Sequence, residues 1–317
     1  MVDDPNLRHV LDHGFVRLID HMGDDSAITA AARISYGTGT KSVREDRGLI
    51  RYLMRHSHSS PYELCVVKFH LRIPIFVARQ LFRHRTSSLN ENSARYSIVP
   101  DQFYIPHAEA IKPQSPDNRQ GRDGDVSDTS KAGVQWMIES ICTMAYDAYR
   151  ILLGDRKGRD PDFSDELLYD PYAHDDPLLD DEFPGVAREI ARTVLPVAFY
   201  TECYWQQNLH NLFHLLKLRT DPHTQHETRL VANAMYELIE PYFPIACEAW
   251  RDYSRDAVTL SRMEVQLIRD LLHDAVKLEE IDPAQYGMTK RELREFNEHF
   301  ASLNRYKSIG DQNASSQ

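Results

Sequence analysis

A strand that leads directly into a helix is the feature that most constrains what this chain can fold into. Residues 64–73 are rich in β-branched and aromatic side chains and partly alternate apolar with polar residues, which is typical of a β-strand. Pro74 ends this strand and suits the first turn of a helix, which we predict from Ile75 to about His84. The sequence therefore predicts a sheet whose clearest strand has a helix attached to its end.

The remaining pattern places strands early in the chain and helices late. A second strand is predicted at 15–19, and apolar residues at helical spacing predict the other helices. These helices are expected over 25–32, 42–56, 134–153, 185–193, 201–218, 224–274 (with breaks at Pro241 and Pro244) and 289–303. The distribution indicates an α+β fold, with a central mixed or antiparallel sheet covered by helices and a helix-rich C-terminal half. Two polar stretches, 113–131 and 155–185, are predicted to be surface insertions.

Composition argues against several classes of protein. The net charge of −11 over 317 residues is unlike that of a general nucleic-acid or anionic-membrane binder, which would normally be basic. No stretch reaches the ~18 apolar residues of a membrane span, and the polar, acidic start does not resemble a secretion signal. The four cysteines show no paired spacing, which indicates a reduced, cytoplasmic compartment. Three of them, Cys142, Cys203 and Cys247, lie in patterns that predict buried helical positions.

The most chemistry-bearing segment follows the predicted strand and helix. Arg83, His84, Arg85 and Arg95 enclose a short stretch of serines, asparagines and one glutamate, including Ser93. Arginine binds phosphate through a planar fork of donors and keeps its charge at any relevant pH. The cluster therefore predicts a site for a phosphate-bearing ligand. The simpler alternative is a polar helix end whose basic residues complement the helix dipole.

A second set of polar residues lies on the helix predicted at 201–218. His210 and His214 are four residues apart and share a helix face, which would suit a metal pair, but no third ligand stands at a suitable spacing. Arg219 follows at the helix end. It is either a partner of the helix dipole or a fixed cation against a ligand.

Two rival functions rest on other residues. His223-x-x-His226-Glu227 and the His-Asp dipeptides at 174–175 and 273–274 would suit a metal-dependent phosphohydrolase. The order is not that of the zinc proteases, however, and dipeptides this short arise by chance. The arginine cluster alone would suit a nucleic-acid-binding module. The negative net charge of the whole chain argues against that function. The sequence contains neither a Gly-rich dinucleotide fingerprint nor a P-loop.

The arginine cluster also resembles the signature of a known family, the flavin-dependent thymidylate synthases. An Arg-His-Arg triplet at 83–85, followed after seven residues by Ser93, matches that family's motif. Further stretches resemble the family in the same order, at 58–63, 74–80, 90–97, 103–106, 191–196 and 208–219. The resemblance covers residues 12–110 and 185–250 in two blocks.

The resemblance implies an activity, the methylation of dUMP at C5 to give dTMP. In this family the carbon comes from 5,10-methylenetetrahydrofolate, the hydride comes from FAD that NADPH reduces, and tetrahydrofolate is released. It also implies a methyltransferase without a metal ion or a catalytic cysteine, and a homotetramer whose active sites are shared between subunits. We accordingly expect one family domain over residues 1–310, followed by a polar tail at 311–317.

The resemblance assigns the site position by position. Arg219 matches the arginine that polarises the uracil, and is the predicted catalytic residue. The residues predicted to bind dUMP are Gln80, Leu81, Phe82, Arg83, Glu91, Asn92, Ser93, Ala94, Arg95, Arg192 and Arg219, with Arg95 and Arg192 at the phosphate. The residues predicted to bind FAD are Ser60, Arg83, His84, Arg85, Glu91, Asn208, Leu209, His210 and His214. His58 and Tyr96 are predicted to be secondary pocket residues.

Overall fold

The fold is that of a computed structural model, which describes residues 4–34, 43–116, 119, 121–155, 183–271 and 282–296. Contacts group the chain into two compact units, Met1–Arg255 and Asp256–Gln317. In the first unit the described strands are β1 (Leu7–Val10), β2 (Gly14–Met22), β3 (Val66–Pro74), β4 (Ser88–Glu91) and β5 (Tyr200–Asn208). Its described α-helices are α1 (Asp25–Arg33), α2 (Val43–Arg55), α3 (Ser60–Glu63), α4 (Ile75–Leu81), α5 (Asp128–Leu152), α6 (Arg188–Ala191), α7 (Leu209–Arg219), α8 (His226–Ile239) and α9 (Pro244–Trp250). The second unit contains α10 (Arg262–Leu271), a 3₁₀ turn at Pro283–Tyr286 and helical residues at 290–296.

The five strands form one antiparallel sheet in the order β1-β2-β3-β5-β4. The central pairing joins β3 to β5, from Val66 opposite Asn208 to Pro74 opposite Tyr200. This confirms the predicted α+β fold and settles the sheet as antiparallel among the described strands. The predicted homotetramer stays a prediction.

β3 forms because its side chains alternate strictly between two environments. Val67, Phe69, Leu71 and Ile73 are buried on one face, while the intervening residues are only partly buried on the other. Pro74 lies in extended backbone and is the N-cap of α4. The strand therefore passes into the helix with no intervening residue, as the sequence predicts.

Helices cover one face of the sheet and enclose the core. α8 packs against β1 and β2, α7 packs against α8 and β5, and α4 lies between β3 and α8. Trp250 of α9 stacks on Phe213 of α7, with ring centroids 5.4 Å apart, and its indole N–H donates to the Phe213 carbonyl. α4, which carries Gln80, and α7, which carries His210, His214 and Arg219, are thus held on a packed apolar base.

The prediction of one helix over 201–218 is wrong in its first half. Tyr200–Asn208 is strand β5, in which Cys203, Trp205 and Gln207 are buried and the residues between them are more exposed. That alternation has a period of two, whereas the apolar helical spacing begins only at Leu209. Asn208 then caps α7, because its side chain accepts a hydrogen bond from the Asn211 N–H.

Other boundaries also differ from the sequence prediction. Ser88–Glu91, to which the sequence pattern assigns no strand, forms β4, since it pairs with β5 from Ser88 opposite Gln206 to Glu91 opposite Cys203. The insertion predicted at 113–131 ends early because α5 already begins at Asp128, where Ser127 caps it. Most of the insertion at 155–185 and the whole tail at 311–317 lie outside the described residues.

Cys203 is buried as predicted, but on strand β5 rather than on a helix. Over the ranges that the structure describes, no helix has the length and apolar character needed to cross a membrane. The single family domain expected over 1–310 stays a prediction.

Candidate active site

The ends of α4 and α7 meet at Arg219. The guanidinium Nε of Arg219 donates to Nε2 of His84 at 3.0 Å, and one of its Nη atoms donates to the carbonyl of Gln80 at 3.3 Å. Gln80 lies in the last turn of α4, and His84 follows three residues after that helix ends. Arg219 is the last residue of α7. The contact therefore joins the Arg-His-Arg triplet at 83–85 to α7, which carries His210 and His214. These two segments lie far apart in the sequence.

The His84 ring is neutral in this arrangement. An arginine Nε–H can only donate, so the facing Nε2 of His84 carries a lone pair and the ring proton sits on Nδ1. Burial, followed by the nearby Arg219 and His214, lowers the pKa of His84 to about 4. Burial and the charge of Arg83 also lower the pKa of Arg219 from its ordinary value, but arginine remains a cation at any relevant pH.

A cavity of about 290 Å³ opens beside this contact. His58, His210, His214 and Lys217 contribute polar groups to its walls, and Phe213 is among the apolar residues that line it. The His214 ring lies 6.0 Å from the His84 ring, centroid to centroid. Three residues of the predicted FAD set, His84, His210 and His214, are therefore brought together at one place.

Lys217 is a cavity residue that the sequence reasoning missed. It follows His210 by seven residues and His214 by three, so all three lie on one face of α7. Helical spacing could have identified it. Ser59, which immediately precedes the predicted FAD residue Ser60, also lines the cavity.

Gln80 is held by partners that no sequence pattern indicated. Its side-chain amide donates to the side-chain oxygen of Gln225, and its oxygen accepts from the Thr228 hydroxyl at 3.1 Å. Gln225 is the N-cap of α8 and Thr228 lies in the first turn of that helix. Because α8 is distant in sequence, only the packed fold reveals this support.

The other predicted dUMP residues lie around the end of β4. The Glu91 carboxylate accepts from the Thr201 hydroxyl at 2.7 Å, and the Asn92 N–H donates to the Glu202 carbonyl at 2.8 Å, which continues the pairing with β5. The Ser93 hydroxyl accepts from the Arg95 N–H at 3.3 Å.

Two arginines predicted to bind dUMP, Arg95 and Arg192, are open to solvent. Arg95 and Arg192 are both exposed, and the guanidinium of Arg95 lies over the ring of Tyr96, 5.4 Å from its centroid. Arg192 stands on a 3₁₀ turn, Arg192–Val194, directly after α6. Such cations can accept a phosphate without first breaking a buried ion pair.

Predicted site residues thus fall into two sets within the chain. We call Gln80, His84, His210, His214 and Arg219 the α4–α7 set, and Glu91, Asn92, Ser93, Arg95 and Arg192 the β4 set. No hydrogen bond or ion pair described for this chain joins a side chain of one set to a side chain of the other.

The remaining predicted residues differ in exposure. Arg83 and Arg85 are exposed beside His84. Leu81 and Leu209 are fully buried in the core, and the Leu209 N–H already donates to the Cys65 carbonyl. Contacts of these two leucines with a ligand would have to come from their remaining backbone groups, and they stay predictions.

A larger cavity, about 1140 Å³, is lined by none of the predicted dUMP or FAD residues, although Gln225, which holds Gln80, is on its wall. Its wall includes Glu227, whose carboxylate accepts from Arg122 at 2.8 Å and from the Tyr104 hydroxyl at 3.0 Å. Burial opposes ionisation of this carboxyl, but hydrogen bonds led by that of Arg122 bring its pKa below the ordinary value. His223 and His226, on which the phosphohydrolase alternative depended, line the same cavity.

The phosphohydrolase alternative gains no support. Across the part of the chain that the structure describes, no three His, Cys, Asp or Glu side chains are grouped so as to hold a metal ion. His223 is instead paired with Asp221, 2.9 Å away. The dipeptides at 174–175 and 273–274 lie outside the described residues.

The cysteines are buried and unpaired. Burial, followed by Glu91 and Glu202, raises the pKa of the Cys203 thiol to about 12, and burial also raises the pKa of Cys65, to about 11. A thiol of such high pKa carries almost no thiolate at neutral pH and is a poor nucleophile.

Comparison with known proteins decides the family. Residues 17–245 match the model of a family described as thymidylate synthase complementing protein. The chain belongs to the flavin-dependent thymidylate synthase family. It is 43% identical over 288 residues to the flavin-dependent thymidylate synthase of Rickettsia bellii, with 90% of each chain covered. It is 45% identical over 287 residues to that of Ruegeria pomeroyi, with 90% of this chain and 85% of the relative covered.

Solved structures agree with this family assignment. The UMP/dUMP methylase PolB from Streptomyces cacaoi, in crystals with 5-Br UMP and with 5-Br dUMP, is 32% identical to this chain. The TM-scores are 0.63 and 0.64, and the matches cover 79% and 78% of this chain and 99% of the PolB chain. The membership predicted from the triplet at 83–85 and Ser93 is therefore confirmed.

Proposed function

We propose that this chain catalyses the reductive methylation of dUMP at C5 to give dTMP. 5,10-Methylenetetrahydrofolate is the carbon donor, FAD reduced by NADPH is the source of the hydride, and tetrahydrofolate is the released product. Membership of the flavin-dependent thymidylate synthase family supports this reaction, and the likeness to a UMP/dUMP methylase supports a pyrimidine nucleotide as substrate.

The observation that carries the proposal is the position of Arg219. Its guanidinium is fixed by His84 and the Gln80 carbonyl, and the His84 ring lies 6.0 Å from the ring of His214, which lines the 290 Å³ cavity. A uracil ring becomes nucleophilic at C5 only when electron density is pushed into it. A fixed cation that stabilises negative charge on the ring can lower that barrier by several kcal/mol, about what one preorganised donor contributes in other enzymes.

The residues around the cavity fit a flavin nucleotide. The diphosphate needs cations and hydrogen-bond donors, which the exposed Arg83 and Arg85 and the histidines His210 and His214 can supply. The isoalloxazine ring needs an apolar surface with polar groups at its edge, and the Phe213 side of the cavity beside Lys217 offers both. When bound, the reduced flavin supplies the hydride.

The chain's own residues then have separable roles. Arg95 and Arg192 bind the dUMP phosphate, Gln80 and Ser93 bind and orient the nucleotide, and Arg219 stabilises the negative charge that develops on the uracil. Ser93 is a binding group, since no histidine or carboxylate side chain is hydrogen-bonded to it among the described contacts. The buried cysteines take no part.

The chain is proposed to assemble as a homotetramer with active sites shared between subunits, in the cytoplasm. No hydrogen bond or ion pair among the described residues of one chain joins a side chain of the α4–α7 set to one of the β4 set, and this supports the arrangement. A β4 set from one subunit could then complete an α4–α7 set from another.

The reaction is tested with purified protein and dUMP tritiated at C5. We expect a yellow protein with the absorption bands of oxidised flavin, and tritium release that requires methylenetetrahydrofolate and NADPH together. The products should be dTMP and tetrahydrofolate. Protein that binds no added FAD and releases no tritium would exclude the proposed function.

A further inference from the structure

The contact between His84 and Arg219 has an unusual composition. An active-site arginine is commonly held by a carboxylate, which accepts its donors and also cancels much of its charge. Here the acceptors are the neutral imidazole of His84 and the backbone carbonyl of Gln80. The charge of Arg219 is therefore held in place without being neutralised.

The geometry also leaves most of the guanidinium available. Arginine has five N–H donors, and His84 and the Gln80 carbonyl use two of them, one on Nε and one on Nη. No further acceptor for Arg219 occurs among the hydrogen bonds of the described residues. The two hydrogen bonds restrict the orientation of the guanidinium and so the direction of its remaining donors.

The backbone of His84 is itself held by two hydrogen bonds. Its N–H donates to the Leu81 carbonyl at 2.9 Å, and its own carbonyl accepts from the Ser87 hydroxyl at 3.0 Å. The ring is half-buried, with Arg219 on one side and the His214 ring 6.0 Å away. A small backbone-anchored side chain of this kind can fix an arginine more tightly than a long flexible one can.

We propose that His84 is a positioning residue for Arg219, whose unprotonated Nε2 orients the guanidinium toward the uracil while leaving its positive charge intact. This inference rests on the proposed function, which makes Arg219 the group that stabilises charge on the ring. It goes beyond the family resemblance, which assigns His84 only to the flavin. A misplacement of about 1 Å in an active site can cost on the order of 10²-fold in rate.

The test is a double-mutant cycle with His84→Ala, Arg219→Ala and the double variant. Each variant is loaded with FAD, and its single-turnover rate of tritium release from dUMP is measured. We expect His84→Ala to lower the rate by about 10- to 100-fold, since the guanidinium loses one of its two fixed points. In the Arg219→Ala background the same substitution should change the rate by less than about 2-fold, because the group that His84 positions is already gone.

Two further variants separate positioning from folding. The Oε1 atom of His84→Gln can reach the place of Nε2, whereas the shorter side chain of His84→Asn places its oxygen near Nδ1. We expect His84→Gln to recover most of the rate and His84→Asn to resemble His84→Ala, with FAD content and melting temperature similar in the Gln and Asn variants.

Three outcomes would overturn the inference. One is a His84→Ala loss that persists in full in the Arg219→Ala background. Another is equal rates for His84→Gln and His84→Asn. The third is loss of FAD binding with an unchanged rate once FAD is saturating, which would leave His84 as a flavin contact only. A wild-type chain that never methylates dUMP would instead refute the proposed function, so the two failures are distinguishable.

Discussion

The α4–α7 set and the β4 set are built in different ways. In the first, Arg219 is partly buried and fixed by His84 and the Gln80 carbonyl before any ligand binds. In the second, Arg95 and Arg192 are exposed, and the guanidinium of Arg95 lies against Tyr96. The comparison indicates that the group proposed to activate the uracil is preorganised by protein contacts, whereas the groups proposed to bind its phosphate are exposed to solvent.

The largest expected effect is on the preorganised side. Arg219→Ala should lower kcat for dUMP-dependent tritium release by about 10²- to 10³-fold, the usual loss when one preorganised donor is removed. FAD binding should largely survive, since the cavity walls formed by His210, His214 and Lys217 remain. Flavin absorbance and tritium release measure the two properties separately.

A suitable control for that substitution is Arg229→Ala. Arg229 is a partly buried arginine of the larger cavity, where one of its Nη atoms donates to the Pro222 carbonyl. It should leave kcat nearly unchanged. Equal loss of FAD binding and turnover in Arg219→Ala would mean that Arg219 is structural, and the contrast between the two sets would fail.

The next largest effect concerns the β4 set. Arg95→Ala and Arg192→Ala should each raise KM for dUMP by about 10- to 100-fold, because a hydrogen bond to a charged group contributes about 1.5–3 kcal/mol. Their kcat at saturating dUMP should change little, since the phosphate is not the reacting group. Steady-state kinetics over a wide range of dUMP concentrations provides the measurement.

The matched control here is Lys112→Ala, which removes an exposed cation from the larger cavity. It should leave KM for dUMP unchanged, because that cavity holds none of the predicted dUMP residues. A fall in kcat with an unchanged KM in the Arg95 or Arg192 variant would contradict the division of roles.

The sequence predicted those parts of the fold that depend on local patterns. The junction of β3 and α4 is correct because strict alternation ends at Pro74, which no strand or helix interior would accommodate. The far ends differ, since β3 begins at Val66 rather than at residue 64 and α4 ends at Leu81 rather than at about His84. β5 was taken for helix because its alternation runs without a break into the apolar spacing of α7. β4 was missed because its four residues are all exposed and are strand only through their pairing with β5.

In the candidate site, too, local patterns revealed some features and only the fold revealed the others. The motif at 83–93 identified the residues, but it could not show that Arg219 donates to His84 across 135 positions of sequence. The contacts of Gln225 and Thr228 with Gln80 were equally invisible, since these residues lie 145 and 148 positions away from Gln80 in the sequence. Contacts between distant elements follow from packing, which no local pattern encodes.

A smaller effect concerns the response of the α4–α7 set to acid. The pKa of His84 is about 4 in the folded chain against an ordinary value of 6.5, because of burial and then the charges of Arg219 and His214. Between these two values the unfolded chain binds more protons than the folded chain, so the free energy of unfolding falls as pH falls from 6.5 toward 4. Above pH 6.5 this contribution is fully present.

His84→Gln tests that response because glutamine does not titrate. The melting temperature of the wild type should fall by a few degrees more than that of His84→Gln between pH 7 and pH 4.5. The carboxylates and His214 are common to both proteins and cancel in the difference. Identical melting curves at every pH would show that His84 is not held neutral in the folded chain.

The smallest expected effect tests whether a cysteine thiol beside the β4 set takes part in the reaction. Cys203 lies on β5 directly opposite Glu91, which makes it the cysteine paired with this set, and burial followed by Glu91 and Glu202 raises its pKa to about 12. Cys203→Ala should therefore keep kcat within about 2-fold while it lowers the free energy of unfolding by about 1 kcal/mol, a common loss for a buried side chain.

Cys247→Ala is the control for burial alone, because Cys247 is equally enclosed but lies on α9. If Cys203→Ala stayed folded, bound FAD and yet lost dTMP formation while Cys247→Ala did not, the reaction would involve a thiol. Charge stabilisation by Arg219 would then be insufficient to account for activation of the uracil.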